Sequence, residues 1–448
     1  MDARRRTINR ILSALGLLTL GFLYVLWLHR HRYPFFACAA AFLSIALFAV
    51  LGLRFVPRLT VFWSKDGEPV PRPGGEPAHM GWKLFGALLF WDALVLLAAW
   101  PLRNALGYDE SFAASLRSWR CADGIHYLDI ARDWYLSEGS IDRLVQLVFL
   151  PGYPLLLRPL ISLTGSDLAA GMLVSALCFA AAGSALYRLL RLDLPHRAAL
   201  RGVLLLCLTP GSFFFAAPMS ESLFLLLCVL SLYLARTRRF PLACLYGGLA
   251  AFTRSLGVTL LVPLTVELIR TAVRGALPRR GLLVHAATLL LVPAGFAAYC
   301  YVNYLVAGDP FQFLVYQSEH WGQQLGLFFN TAAYQTQLAA EQFGKDAPLF
   351  WGLWLPNLLA SFAALALFAL AADRLRASYT AWFLAYYVVA IGATWLLSAP
   401  RYLAAFPALP VAWACLTEKR AGKLAALLVL PPLWLLYFLA FLARWQVW

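Results

Sequence analysis

The stretch "SWRCADGIHYLDIARDWY" (118–135) brings together the residue types that proton transfer needs. A carboxylate positioned beside a reacting hydroxyl takes its proton, which contributes about 10²–10⁴-fold to a rate. Residues three and four apart are neighbours on a helix, so one side of a helix here carries Asp123, His126, Tyr127 and Ile130. Asp123 is therefore a candidate for such a base, and His126 for a group that orients it or contacts a substrate.

The same helix also fits a structural interpretation. Asp129, Arg132 and Asp133 fall on a different side of it and can pair among themselves. A helix of this kind lies at a membrane interface with its charged edge in water. The pattern alone leaves both interpretations open.

Three arginines are candidates for binding a phosphate, because the guanidinium group matches phosphate oxygens in a forked geometry. Arg254 and Arg401 fall at the predicted outer ends of apolar segments, and Arg158 follows the proline-bounded stretch "FLPGYP" (149–154). Each also fits an arginine that reaches from a helix end into water. Glu221 begins an apolar segment, where a carboxylate either caps the helix or faces a cavity.

The elements that must position these residues are membrane helices. The chain has 448 residues, 62% of them hydrophobic and 13% charged, whereas soluble domains carry about 25% charged residues. Apolar segments of about 20 residues recur along the whole length, as expected for helices that cross a hydrocarbon core about 30 Å thick. We predict an all-α polytopic membrane protein with about 11–13 transmembrane helices and with amphipathic helices in the first large outer loop. The predicted spans are 9–28, 34–54, 83–102, 168–190, 198–217, 219–235, 240–256, 257–271, 282–303, 350–371, 378–397, 402–417 and 423–443.

The basic residues predict the orientation of these spans. The net charge of +15 comes from short basic clusters between apolar segments, which is the pattern of cytoplasmic loops and not of a nucleic-acid surface. The loops 103–167 and 304–349 then share the extracytoplasmic side. The segment 144–163 is expected to be re-entrant or interfacial, because its prolines interrupt a continuous helix. The eight cysteines show no zinc-ligand spacing.

Five motifs occur in a fixed order along the chain: "ADGIHYLDIA", "FLPGYPLLLRPL", "MSESLFLLL", "AFTRSLG" and "APRYLAAFPALP". In this series the chain resembles the PIG-V family, which comprises the second mannosyltransferase of GPI-anchor synthesis and its bacterial relatives, among the polytopic GT-C glycosyltransferases. The resemblance covers about residues 83–448. Ala122, Leu150 and Leu256 stand where the family usually has tryptophan, phenylalanine and asparagine.

The resemblance implies transfer of a mannosyl-type sugar from a polyprenyl-phosphate donor to an acceptor hydroxyl, with inversion. It implies a site on the extracytoplasmic side of a bacterial inner or plasma membrane, with Asp123 as the catalytic carboxylate. The residues implied for substrate binding are His126, Tyr127, Tyr153, Arg158, Glu221, Arg254 and Arg401. The expected partners are membrane lipid, the lipid-linked donor and a glycan, lipid or protein acceptor. No nucleic acid is expected, and the oligomeric state is left open.

The second outer loop contains "GDPFQFLVYQSEHWGQQLGLFF" (308–329), whose aromatic residues predict an interfacial segment. This segment either closes over the lipid chain or sugar, with Glu319 and His320 joining the site, or is an amphipathic helix only. Asp109, Glu110, Asp123 and His126 are candidates for a metal site, since hard cations take oxygen ligands. Their spacing matches no defined metal loop, so we expect no metal cofactor.

Two units are predicted: an N-terminal two-helix hairpin with a cytoplasmic linker (1–80), and a GT-C-like transferase domain (81–448). A polytopic lipid or lipid-linked sugar flippase is the competing class. That class predicts ionisable residues deep within the spans and two related halves of the chain. This sequence instead concentrates its polar residues in the outer loops.

Overall fold

The computed structural model describes residues 3–64, 77, 79–135, 145–275 and 278–448. Throughout this part the chain forms helices and no β-strand. Helices follow from the apolar composition, because a segment within lipid must satisfy its own backbone N–H and C=O groups. The predicted fold class, an all-α polytopic membrane protein, is confirmed.

The helices are numbered in chain order. The first ten are α1 (Ala3–Arg30), α2 (Phe35–Phe62), α3 (Met80–Ala105), α4 (Phe112–Arg117), α5 (Asp123–Asp133), α6 (Gly152–Thr164), α7 (Asp167–Arg191), α8 (His196–Cys207), α9 (Glu221–Arg236) and α10 (Phe240–Thr253). The others are α11 (Leu261–Val273), α12 (Arg279–Thr288), α13 (Leu291–Ala307), α14 (Gln312–Trp321), α15 (Phe328–Gln342), α16 (Leu355–Ala371), α17 (Ala377–Ile391), α18 (Ala399–Ala404), α19 (Ala408–Leu416) and α20 (Arg420–Leu442).

In the described part of the chain, eight helical segments are long and apolar enough to cross a membrane. They are Ala3–Arg30, Phe35–Phe62, Met80–Ala105, Asp167–Arg191, Ser255–Val273, Arg279–Ala307, Ala347–Ala371 and Arg420–Leu442. Other predicted spans form shorter helices, including α8, α10, α17 and α19. The sequence shows an apolar run but not the turn that interrupts it, such as the short 3₁₀ segment Ser212–Ala216.

The proline-containing segment that was expected not to cross forms the 13-residue helix α6. At 1.5 Å per residue such a helix is about 20 Å long, which is shorter than a hydrocarbon core of about 30 Å. The first residue of that segment, Leu144, and most of the predicted linker between α2 and α3 lie outside the described residues.

Helix α7 lies at the centre of this part of the fold, where it contacts α3, α5, α6 and α9. Next to α9, α10 crosses α13 at a pair of glycines. A Cβ atom on Gly295 would lie 1.9 Å from the backbone oxygen of Gly248. Only glycine therefore permits this close crossing, which holds the end of α10 in place.

The N-terminal hairpin packs against the C-terminal part of the chain. Helix α2 contacts α15 and α16. Trp27 donates a hydrogen bond to Asn330 over 2.8 Å, and the Phe48 ring stacks on Phe328 with 4.7 Å between centroids. The proposed boundary near residue 80 stays a prediction.

Candidate functional site

Asp123 is the first residue of α5. The helix is fixed by its apolar side, where Tyr127 and Ile130 are buried, and it packs against α6 and α7. The N-terminal end of a helix favours a negative charge. Before it, Ala122 has φ 46° and ψ −137°, a conformation that costs a non-glycine residue about 1–3 kcal/mol. The backbone is therefore strained at Ala122, the residue directly before Asp123.

Asp123 is one end of a chain of alternating charges, which we call the carboxylate–arginine cluster. Arg401 Nη2 lies 2.7 Å from Asp123 Oδ2, and Arg401 Nε lies 3.4 Å from Glu221 Oε1. Arg254 Nη1 lies 2.6 Å from the same Glu221 oxygen. The structure thus joins four of the predicted site residues, which come from α5, α9, α18 and the end of α10.

The four side chains differ in exposure, and this difference separates their possible roles. Glu221 is 1% exposed, Arg401 4% and Arg254 12%, whereas Asp123 is 28% exposed. Only Asp123 combines membership of the cluster with a surface that a substrate hydroxyl can reach easily. Glu221 lies beneath it and holds both arginines.

Polar neighbours fix the two arginines. Arg254 Nη1 donates to Ser220 Oγ over 3.0 Å, and Ser220 Oγ donates to the Tyr127 hydroxyl over 2.8 Å. Arg401 Nη2 donates to Ser398 Oγ over 3.2 Å. Burial raises the pKa of the Tyr127 hydroxyl, so this phenol stays neutral. Tyr127 is therefore a link in the hydrogen-bond chain and carries no charge.

One aromatic ring lies between the two arginines. The Tyr402 ring centroid is 5.5 Å from the Arg254 guanidinium carbon and 5.7 Å from that of Arg401. A cation beside an aromatic ring gains electrostatic stabilisation from the ring quadrupole. Tyr402 therefore helps to keep two like charges near each other.

His126 contributes to an aromatic wall beside Asp123. Its ring stacks on Phe149 with 4.5 Å between centroids and 17° between planes. Trp321, from α14 of the second outer loop, meets Phe149 edge-on at 6.0 Å. Burial is the main cause that lowers the pKa of the His126 imidazole, which favours its neutral form. The two loops that were predicted to be extracytoplasmic therefore meet beside the cluster.

Tyr153 and Arg158 occupy different environments, although both belong to the same predicted motif. Tyr153 is buried and donates a hydrogen bond to the Gly171 carbonyl over 2.9 Å, and its ring meets Tyr127 edge-on. Arg158 is exposed, and its guanidinium lies 5.6 Å from the centre of the Trp134 ring. Tyr153 therefore supports the site by packing against Tyr127. The structure places Arg158 apart from the carboxylate–arginine cluster, beside Trp134.

The charged side of α5 forms the ion pairs expected from the sequence. Arg132 lies 2.9 Å from Asp129, and Arg120 lies 2.8 Å from Asp129 and 3.0 Å from Asp167. This network fixes α5 to the start of α7. Asp129 is therefore a structural carboxylate on the same helix as Asp123.

Of the two acidic residues before α4, Asp109 and Glu110, Glu110 makes a structural contact. Glu110 forms an ion pair with Arg103, which is buried at the end of α3. This hydrogen bond lowers the pKa of the Glu110 carboxyl. In the part of the chain that the structure describes, no group of three His, Cys, Asp or Glu residues is close enough to hold a metal ion. Glu319 and His320 are exposed on α14.

The sequence did not predict Ser220, Ser398 or Tyr402 as neighbours of the arginines. Their contacts connect segments that are far apart in the chain, so neither type nor spacing indicates them. Ser220 lies directly beside Glu221 in "MSESLFLLL", and Tyr402 follows Arg401. Adjacency to a candidate charge was the only available signal.

The comparisons with known proteins agree with the motif order. A family model described as Mannosyltransferase (PIG-V) matches residues 105–303. The match contains Asp123, Glu221 and Arg254, and it ends before Arg401. It confirms the resemblance to the PIG-V family and supports a mannosyltransferase activity. No curated protein matches the chain significantly.

Proposed function

We propose that this chain, which resembles PIG-V mannosyltransferases, transfers a mannosyl group from a polyprenyl-phosphate donor to an acceptor hydroxyl. The observation that carries the proposal is the position of Asp123. It is the exposed end of a buried charge cluster that contains two arginines. A proton acceptor and cations for a phosphate are what such a transfer requires within one site.

The reaction is a single displacement. The acceptor oxygen forms a bond to the sugar C1 while its proton passes to the Asp123 carboxylate. The bond between C1 and the phosphate oxygen breaks on the opposite face, and polyprenyl phosphate leaves with the electron pair. Attack opposite to the leaving group inverts the configuration at C1.

Arg401 and Arg254 are the groups proposed to receive the leaving phosphate. Both guanidinium groups are already held by Glu221, so their positions are set before a substrate binds. Preorganised charges stabilise a developing negative charge without reorganisation during the reaction. Glu221 is then a positioning residue. Arg158 is not part of this proposal, because it lies over Trp134.

The proposed location of the site is the extracytoplasmic face of a bacterial membrane. The cluster lies at the Glu221 end of α9, and the basic segment "RTRR" follows the other end. Basic segments favour the cytoplasmic side. The acceptor, a glycan, lipid or protein, would then meet the donor within the outer leaflet or at its surface.

One observation favours the competing flippase class. Asp92 is 3% exposed in the middle of α3, and within the described residues its Oδ2 has no hydrogen-bond partner. An ionisable residue inside a span is a functional candidate by default. A transport path needs a series of ionisable groups, and Asp92 supplies one such group. The carboxylate–arginine cluster therefore favours the transferase over the flippase.

The test measures polyprenyl phosphate released from a mannosyl donor by the full-length protein in bacterial membranes. Asp123→Asn keeps the size of the side chain and removes the proton acceptor. Its rate should fall by about 10²-fold or more, with donor binding retained. Asp129→Asn is the control, because that carboxylate only forms structural ion pairs. Equal rates in the two variants would exclude Asp123 as the base, and donor movement across vesicles without release would favour the flippase.

A further inference from the structure

Arg401 is carried by a helix that is too short to be stable by itself. It is the third residue of α18, which has six residues (Ala399–Ala404). Isolated helices shorter than about 12–15 residues are marginal, and the first N–H groups of a helix have no partner within it. The Ser398 side chain caps none of these groups. The position of α18 must therefore be set by contacts from other helices.

Asn357, the third residue of α16, makes two hydrogen bonds to the segment that leads into α18. Its Oδ1 accepts from the Ala399 N–H over 2.7 Å, and its Nδ2 donates to the Leu396 carbonyl over 3.2 Å. A backbone N–H only donates and a carbonyl only accepts, so these partners determine the orientation of the amide. Asn357 is 1% exposed, and both partners are fully buried. One side chain therefore fixes the turn that begins α18.

The segment before α18 is also held by α15. The Leu396 carbonyl accepts a second hydrogen bond from Gln335 Nε2 over 2.9 Å, and the Leu396 N–H donates to the Tyr334 hydroxyl over 2.6 Å. The Ala399 N–H, in contrast, is bound by Asn357. Loss of the Asn357 side chain would thus leave Leu396 attached to α15 and would release the first turn of α18.

The backbone at Arg401 is closely packed, and its side chain has little tolerance for movement. Gly211 has φ 89°, and a Cβ atom on it would lie 3.2 Å from Arg401 N and 3.1 Å from the Pro400 carbonyl carbon. At the other end of the side chain, the guanidinium lies 2.7 Å from Asp123 and 3.4 Å from Glu221. A misplacement of about 1 Å can cost about 10²-fold in rate. The position of the α18 backbone therefore decides whether the guanidinium reaches both carboxylates.

We propose that Asn357 is a positioning residue of the transfer site. It holds the first turn of α18 and thereby places the Arg401 guanidinium between Asp123 and Glu221. This role rests on the proposed function, in which Arg401 receives the leaving phosphate. Asn357 lies outside the residues 105–303 that the family model matches, so only its contacts in the fold connect it with the site.

The test is a double-mutant cycle on the full-length protein in bacterial membranes, with release of polyprenyl phosphate from a mannosyl donor as the readout. Asn357→Leu keeps the branched shape of the side chain and removes both hydrogen-bonding groups. It should lower kcat by about tenfold or more and change the KM for the donor less. In an Arg401→Lys background the same substitution should lower the rate by no more than about twofold, because the guanidinium that Asn357 positions is absent there.

Asn303→Leu is the matched control. Asn303 is also a buried asparagine with two hydrogen bonds, because its Nδ2 donates to the Tyr299 carbonyl and its Oδ1 accepts from the Phe313 N–H. These bonds join α13 to α14. The control should therefore lower the rate by the same factor in the wild-type and Arg401→Lys backgrounds. Equal factors in both backgrounds for Asn357→Leu would show a purely structural role and overturn the proposal.

Hydrogen exchange of the peptide 396–404 reads the same contact without a substrate. Its amides should exchange about tenfold or more faster in Asn357→Leu than in the wild type, and at the wild-type rate in Asn303→Leu. Unchanged exchange in Asn357→Leu would overturn the proposal even if transfer occurs. If the wild type releases no polyprenyl phosphate, the proposed function fails, and the exchange rates still decide whether Asn357 holds α18. If Asn357→Leu does not fold, Asn357→Ser, whose hydroxyl is too short for both bonds, replaces it and must meet the same expectations.

Discussion

At the scale of single residues, Arg401 has the most demanding position in the cluster. Two of its nitrogens contact two different carboxylates, Asp123 and Glu221, while the side chain is almost fully buried. Removing one partner of a buried ion pair leaves an uncompensated charge, which costs about 3–5 kcal/mol. Arg401 therefore serves both stability and the proposed phosphate contact, and a charge-conserving change is the informative one.

Arg401→Lys and Arg254→Lys keep the charge and lose the forked geometry. Each should lower kcat/KM for transfer by about tenfold or more, which corresponds to about 1.4 kcal/mol of transition-state stabilisation. The measurement is donor-dependent release of polyprenyl phosphate at matched protein levels. Arg158→Lys is the control, since Arg158 is exposed over Trp134. Full activity of both cluster variants would show that these arginines have no role in transfer.

The titration of His126 predicts in which direction the stability of the folded chain changes with pH. Burial lowers its pKa from the ordinary 6.5, so between the two values the folded chain binds fewer protons than the unfolded chain. The stability from this group is complete above the unfolded pKa and is lost as the pH falls through the folded pKa.

The wild type should accordingly melt at a lower temperature at about pH 5.5 than at about pH 7.5. His126→Phe keeps a ring to stack on Phe149 and removes the titrating group. The difference between the two melting temperatures should therefore be smaller in this variant. An unchanged difference would mean that His126 does not titrate differently in the folded and unfolded chains.

At the scale of elements, the site depends on how closely α10 and α13 approach. Gly295→Ala would place a Cβ atom against the Gly248 carbonyl, and forced overpacking costs about 1–3 kcal/mol. The melting temperature should fall, and transfer should weaken because Arg254 follows α10. Gly86→Ala is the matched control, since no atom lies within 4 Å of the added Cβ. Equal melting temperatures would contradict the close crossing.

The sequence predicted that the stretch 118–135 contains a helix with Asp123 and His126 on one side, because this periodicity is local. It did not predict that the helix begins at Asp123. The same periodicity predicted the pairing of Asp129 with Arg132, which the structure confirms. The order of the motifs nominated Asp123, Glu221 and Arg254, although it gave no contact between them. Ser220 and Tyr402 were missed because their contacts join distant segments.

At the scale of the whole molecule, the position of the site requires both large outer loops on one face. The contact between Trp321 and Phe149 joins these loops. In a cysteine-free background, Ala113→Cys and Ala340→Cys should both react with an impermeant thiol reagent in intact cells, because both positions are exposed. Glu418→Cys, in a basic loop, should react only after permeabilisation. Labelling of only one outer position would contradict the shared face.

The separation of the cluster residues along the chain has a consequence for biosynthesis. Ribosomes deliver membrane helices in order from the N-terminus, so Asp123 and Glu221 enter the membrane long before Arg401. Arg254 follows Glu221 closely in the chain and can neutralise its charge early. Arg401, which pairs with Asp123, is synthesised 278 residues after Asp123. An incomplete chain therefore holds the Asp123 carboxylate without the Arg401 guanidinium. The carboxylate–arginine cluster is therefore complete only after the segment that carries Arg401 has been inserted.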